Sequence, residues 1–283
     1  MNVGENSALP QPVRDAARAH APDRYLAALL APRDFRDDLV ALAAVIGELE
    51  RIPRVVTEPG LGEIRLQWWR DWLDDLGKGT RTGNPVADRM TDVIARRGLQ
   101  VAPLIELIDA RVDDFYSDPV ADDAAFLAGV DRAEAGAFRL AAAIAGAPTD
   151  AAADAVLAAA ARGYGITRAL LGLPFAVSRG RWPLPPAGTE PVDAALISDP
   201  AMRDAAAKSR DAAMALARAE LDRARAALPT LPRNLLAAVL PAALIEPYLQ
   251  ALEKEDDWLR TQVEISPLTR VWRLWRAWRR ARL

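Results

Sequence analysis

The sequence predicts an all-α protein folded as one domain. Half of its 283 residues are apolar (51%), and alanine, the best helix former, fills the long stretches. Runs of β-branched residues, and the Asn-Gly or Asp-Gly pairs that close hairpins, are nearly absent. Apolar side chains instead recur every three or four residues between prolines and glycines, the period of helices that bury one face. A chain of this length sits near the upper limit for one hydrophobic core, so one large domain is expected rather than two small ones.

Taken in order, residues 1–21 read as a flexible extension and 22–283 as the helical domain. Pro22 opens the first helix, to about Leu30, because proline suits a first turn and Tyr25, Leu26 and Leu29 share a face. Pro32 ends it. A long helix follows from Asp34 to Val56, with Leu39, Leu42, Ile46, Leu49 and Ile52 at helical spacing, and Pro53 is expected to kink it or end its regular part. After Glu58-Pro59-Gly60, the stretch Leu61 to Leu76 carries Leu66, Trp69, Trp72 and Leu73 on one stripe, and Gly77, Gly79 and Gly83 mark a loop. Further helices are predicted over Pro85–Arg97, Val101–Tyr116, Ala121–Ala145, Ala151–Phe175, Val192–Leu228, Pro232–Leu252 and Pro267–Leu283. The Gly- and Pro-rich stretch Ser178–Pro191 is long for a loop in a bundle, and a functional loop and a disordered one are left open.

Composition excludes several functions. Lys and Arg total 36 against 39 Asp and Glu, a net charge of −3, so no global basic field suits nucleic acid. No cysteine and one histidine, His20, leave no thiolate or histidine metal site, and any metal would sit among carboxylates. Met1–Pro12 lacks the pattern of a signal peptide and no stretch of membrane-spanning length is apparent, so a cytoplasmic location is expected, with a peripheral position on the inner membrane. Neither a phosphate loop nor a hydrolase triad is present.

Three clusters stand out. Asp109, Asp113 and Asp114 have helical spacing but Arg111 lies between them, which favours a solvated acidic turn over a metal site. Trp68, Trp69 and Trp72 cannot all face one side of a helix, so at least one meets a cavity, a membrane interface or a protein partner. Trp272, Trp275 and Trp278 interleave with arginines over 268–283, a basic amphipathic helix suited either to an anionic membrane or to packing on the bundle.

Four blocks carry a family resemblance. They are Asp23-Arg24-Tyr25-Leu26-Ala27-Ala28-Leu29-Leu30-Ala31-Pro32 with Arg36 and Ala41-Leu42-Ala43-Ala44-Val45; Pro85 with Leu107-Ile108-Asp109 to Asp114-Phe115; Gly165-Ile166-Thr167 to Arg179-Gly180-Arg181-Trp182-Pro183-Leu184-Pro185; and Trp272 to Trp278. Together they resemble the squalene/phytoene synthase family, from about Pro22 to the end. The resemblance implies an isoprenoid-synthase-like helical bundle around a central cavity, with Glu50 and Arg54 on one wall and Gly172 and Ala176 on the other. It also implies two aspartate-rich motifs on facing helices, holding Mg²⁺ that neutralises a prenyl diphosphate leaving group.

The first motif falls on Glu50-Arg51-Ile52-Pro53-Arg54 and the second on Gly172-Leu173-Pro174-Phe175-Ala176. One acid survives, beside two guanidiniums, so a divalent cation meets repulsion there. The chain therefore reads as non-catalytic and without a cofactor, Mg²⁺ entering only with the alternative of an active head-to-head prenyl transferase. Arg51, Arg54, Arg168 and Arg179 are candidate anion-binding residues, because guanidinium forks suit phosphate oxygens. Pairing of Arg51 and Arg54 with Glu48, Glu50 or Glu58 is the alternative.

The stretch Glu58-Pro59-Gly60-Leu61-Gly62-Glu63-Ile64-Arg65-Leu66-Gln67-Trp68-Trp69-Arg70-Asp71 is similar to a divergent branch that includes the mitochondrial respiratory complex I assembly factor of this fold. That resemblance implies a role in complex I assembly. The expected partners are a membrane protein complex or an isoprenoid lipid.

Overall fold

A computed structural model describes residues 9–116, 120–148, 150–188, 191–228 and 232–283. Among them there are helices and no strands: α1 (Gln11–His20), α2 (Pro22–Leu30), α3 (Arg33–Val55), α4 (Pro59–Asp74), α5 (Pro85–Arg97), α6 (Ala102–Val112), α7 (Asp123–Ile144), α8 (Ala151–Leu171), α9 (Leu173–Ser178), α10 (Pro200–Ala227), α11 (Arg233–Val239), α12 (Ile245–Glu253) and α13 (Pro267–Arg280). The chain is all-α. The long helices form the centre: α8 packs between α7 and α10, and α3 packs against α1, α2, α5 and α7.

Short side chains let these helices approach closely. Ala41, Ala43 and Ala44 on α3 and Ala135, Ala137 and Ala141 on α7 are buried. Helix ends follow local chemistry. The Asn84 side chain accepts hydrogen bonds from the Val86 and Ala87 amides, and Gly98 ends α5 with φ at +62°. Asp122, Asp150, Asp199 and Ser266 cap α7, α8, α10 and α13 in the same way, each satisfying amides that a helix start leaves free.

Several expectations are corrected. The segment read as a flexible extension contains α1, whose Val13 and Ala17 are wholly buried against the bundle; residues 1–8 lie outside the described residues. The expectation at Pro53 needs no such change: α3 stops at Val55, within a turn of the proline that removes the donor for the Leu49 carbonyl. Helix Ala151–Phe175 breaks at Gly172, since Pro174 cannot donate to the preceding turn and starts α9 instead. Helix Val192–Leu228 begins only at Pro200, after a 3₁₀ turn at Ala194–Leu196.

Pro241 likewise splits Pro232–Leu252 into α11, a 3₁₀ turn (Leu240–Leu244) and α12. By length and composition, Arg233–Leu252 is apolar enough to cross a membrane, with mean hydropathy 1.6, contrary to the expectation that no such stretch exists. Its 78% burial places that apolarity in the core.

Two polar features also hold the frame. Buried Asp38 on α3 pairs with Arg89, Arg96 and Arg97 of α5 and so clamps the two helices together. The long loop is pinned over its described part: Trp182 is buried, its Nε1 donates to Ser209 Oγ at 3.3 Å, and Ser209 Oγ donates to the Pro185 carbonyl at 2.6 Å.

Glycine spacing supplies a stability test. A Cβ on Gly136 meets the Pro103 carbonyl oxygen at 2.6 Å, whereas one on Gly129, in the same helix, meets nothing within 4 Å. Backbone cannot rotate aside, so for Gly136→Ala an overpacking cost of about 1–3 kcal/mol exceeds the helix-propensity gain of about 1 kcal/mol. Chemical denaturation is expected to show Gly136→Ala destabilised and Gly129→Ala unchanged or stabilised. Equal effects at the two positions contradict the close contact of α6 and α7.

Candidate functional site

The ends of α3, α6, α7, α8 and α9 enclose a cavity of about 580 Å³. Glu50 and Arg54 contribute from α3, and Gly172 and Ala176 from the α8–α9 junction. Phe126, Val130, Phe175 and Trp182 supply apolar wall, and Arg111, Arg132 and Arg181 add cations. Glu50 and Arg54 reach the same space because residues four apart share a helix face.

Charges of alternating sign run through the cavity floor. Glu50, 7% exposed, accepts a hydrogen bond from Arg168 Nη2 at 2.6 Å. The Nε of Arg168 lies 3.3 Å from Glu134 Oε1, and the other Glu134 oxygen accepts from Arg24 Nη2. Glu50, Arg168, Glu134 and Arg24 thus tie α3, α8, α7 and α2 together. The Arg24 guanidinium also lies 4.9 Å above the Phe138 ring and 5.2 Å from that of Tyr164, positions of favourable cation–π energy. Below it, the Tyr164 and Tyr248 hydroxyls donate to buried Asp23 at 3.1 and 3.0 Å, and Arg270 Nε of α13 lies 2.8 Å from Asp23 Oδ1.

Burial raises the Glu134 pKa, with the Arg24 and Arg168 charges opposing it. Burial, then the Asp23 charge, pushes the Tyr164 phenol well above its ordinary value. At Arg54 burial and the neighbouring Arg168 lower the pKa while Glu50 pulls the other way. Among the described residues no carboxylate oxygen lies within 4.0 Å of Arg54, so its fork remains available to the cavity.

The structure sorts the sequence candidates. Glu50, Arg54, Arg168, Gly172 and Ala176 come together at the cavity. Arg51 does not: it is exposed on another face of α3 and lies 3.6 Å from Glu48, one of the pairings that sequence had left open. Arg179 is also outside the lining, its guanidinium 4.4 Å above the Phe175 ring. Arg168 is taken up by two buried carboxylates and is not a free anion ligand.

Asp109, Asp113 and Asp114 are each paired, with Arg70, Arg132 and Arg111 respectively. Trp69 and Trp72 are core, while Trp68 is 38% exposed. Sequence reasoning missed Glu134 altogether and quoted Arg24 only within a resembling block, with no role assigned. Their signal was weak, a single charge on an otherwise apolar helical face. It passed over Arg132 and quoted Arg181 only within a resembling block.

These residues do not fit Mg²⁺. The surviving acid of the first motif is bonded to Arg168, Arg54 stands beside it, and the second motif offers no donor side chain. Among the described residues no group of three or more His, Cys, Asp or Glu is arranged to hold a metal ion.

Comparison with known proteins places this geometry. The squalene/phytoene synthase family model matches residues 17–269. The fold is that of a squalene synthase from Alicyclobacillus acidocaldarius (TM-score 0.70, 17% identity, 86% of this chain and 92% of that one). It is also that of a dehydrosqualene synthase solved with a ligand (TM-score 0.72, 11% identity, 95% of each chain). In sequence, 87 residues are 33% identical to complex I assembly factor 6 of Bos taurus and 30% identical to that of Homo sapiens. Each match covers 31% of this chain and 26% of the relative, so the chain spans about a quarter of these curated relatives.

The Arg168 bridge makes a pH-dependent prediction. Arg168→Met leaves Glu50 and Glu134 buried with one fewer cation, a loss of about 3 kcal/mol at neutral pH. A carboxyl whose folded pKa is raised adds stability at low pH that is lost as pH rises through that pKa. Removing Arg168 raises the Glu134 pKa further, so the deficit of the variant should shrink as pH falls from 7 toward 5. Urea denaturation at both pH values checks this, and a deficit independent of pH refutes the assignment.

Proposed function

We propose that this chain, which belongs to the squalene/phytoene synthase family, is a non-condensing member that acts in assembly of respiratory complex I. The observation carrying the first half is the bond from Arg168 to Glu50. Ionising an allylic diphosphate requires that charge on the leaving group be neutralised as it develops, which divalent cations held by carboxylates do as Lewis acids. Here the carboxylate is neutralised by a side chain of the protein itself. A cavity is present at the two motif positions, but their side chains supply no set of carboxylates for a metal.

The assembly role is supported by the local likeness to complex I assembly factor 6. It is also supported by a surface fit for a partner. On α4, Leu61, Ile64 and Trp68 are exposed at 58%, 67% and 38%, and their spacing places them on one outward stripe. Apolar stripes of this kind are energetically costly in water and mark contact surfaces.

Two measurements test the proposal. Incubation with farnesyl diphosphate and Mg²⁺ is expected to release no pyrophosphate and to form neither squalene nor phytoene; either product overturns it. Deleting the gene is expected to lower NADH:quinone oxidoreductase activity while leaving squalene and carotenoid content unchanged, and the reverse pattern identifies a synthase.

A second reading, metal-independent binding of an anionic isoprenoid, is favoured by the unpaired Arg54 beside the apolar wall of Phe126 and Val130. In chelator, farnesyl diphosphate is then expected to bind the wild type, and Arg54→Gln to weaken that binding by about tenfold or more, the value of a hydrogen bond to a charged group. Equal binding by the two proteins removes this reading.

A further inference from the structure

Helix α13 has two faces. Leu274 and Ala277 are buried against the bundle, and Arg270 reaches inward to Asp23 and Tyr248. On the opposite side Leu268, Val271, Trp272 and Trp275 are exposed at 79%, 48%, 53% and 39%. Their spacing places them on one stripe. A helix that only packs on a bundle needs no second apolar stripe, and exposing two indoles to water is unfavourable.

The charge around this stripe has one sign. From Ile265 to Leu283 there are six arginines and no Asp or Glu, in a chain whose net charge is −3. Arg270 is committed to Asp23. Arg273, Arg276, Arg279 and Arg280 form no ion pair among the described residues. The rings of Trp272 and Trp275 stack at 5.1 Å, and the Arg279 guanidinium lies 5.2 Å from the Trp275 ring, so cation and indole are presented together.

We propose that the outward face of α13 docks on an anionic lipid bilayer, with Leu268, Val271, Trp272 and Trp275 in the interfacial layer and Arg276 and Arg279 on lipid phosphates. Two features select a bilayer. Tryptophan is favoured at the headgroup level, where its ring is in an apolar layer and its N–H in a polar one. An uncompensated row of arginines complements a lipid surface of negative potential. A second copy of this chain would instead set these arginines against their own kind, because a two-fold contact opposes like patches. The inference stands independently of the assembly role and of any cavity ligand.

Co-sedimentation of the full chain with vesicles tests it. Vesicles with equal parts phosphatidylcholine and phosphatidylglycerol are expected to bind the protein, and pure phosphatidylcholine to bind it far less. Each basic side chain near an anionic surface contributes about fivefold to binding, so Arg276→Gln with Arg279→Gln should weaken it by about thirtyfold. Trp272→Ser with Trp275→Ser should weaken it too, and added salt should affect the wild type more than the arginine variant.

All four positions are at the surface, and unchanged circular dichroism spectra and melting curves are expected to show both variants folded. Failure of the wild type to bind mixed vesicles overturns the proposal, as does binding that the folded variants retain in full. Sedimentation velocity showing α13-dependent dimers, with no vesicle binding, assigns the face to a second copy and likewise overturns it.

Discussion

A buried carboxylate needs a cation, and much of this structure follows from which cation is used at Glu50. Charge without a partner in a low-dielectric interior costs several kcal/mol. Arg168 answers for two carboxylates at once, Glu50 from α3 and Glu134 from α7, while itself belonging to α8. The planar fork matters, since Nη2 and Nε address different acids on different helices. A lysine ammonium is a single point charge and cannot hold that geometry. The bridge thereby fixes the mutual positions of the helices that wall the cavity.

From this bridge the polar network descends to Arg24, which borders Tyr164, and Tyr164 and Tyr248 meet on Asp23 together with Arg270 of α13. Most of these buried polar groups find partners, the Arg24 Nε being an exception among the described residues, and they specify how the helices dock where apolar contacts alone would permit sliding. Arg270 has a further consequence at the surface. By holding one face of α13 against Asp23, it leaves the tryptophan face directed to solvent.

Much of the fold was legible because local signals dominate it. Helix α5 was read to its observed ends, Pro85 and Arg97, and the structure shows why those ends are sharp: Asn84 caps the start and Gly98, at positive φ, the end. Where local signals compete, the reading failed: Pro174 and Pro241 restart helices within apolar runs that looked continuous. Helix α1 was missed because its buried face is little more than Val13 and Ala17, too small to stand out from a polar segment. At the site, spacing separated Arg54 from its neighbour in principle. A helix turns by about 100° per residue, so Arg51 cannot share the face of Glu50 and Arg54. The pairing of Arg168 with Glu134 was not legible, because nothing in sequence ties a residue of α8 to one of α7.

The same physics explains how such a fold can persist while the groups bordering its cavity vary. A bundle is held by its apolar faces, and these persist whichever small or polar groups border the cavity. Without Arg168, Glu50 would face Gly172 and Ala176 with no counter-charge, a destabilised state. Arg168 satisfies that carboxylate, and Arg54 beside it adds a second positive charge that disfavours a divalent cation there. Acids introduced at positions 172 and 176 would share this cavity with the guanidiniums of Arg54 and Arg168. The arginine-bridged state is therefore self-consistent in its own right: its helices are held by charges the chain itself carries, and Arg54, within 4.0 Å of no carboxylate among the described residues, offers its guanidinium to whatever enters the cavity.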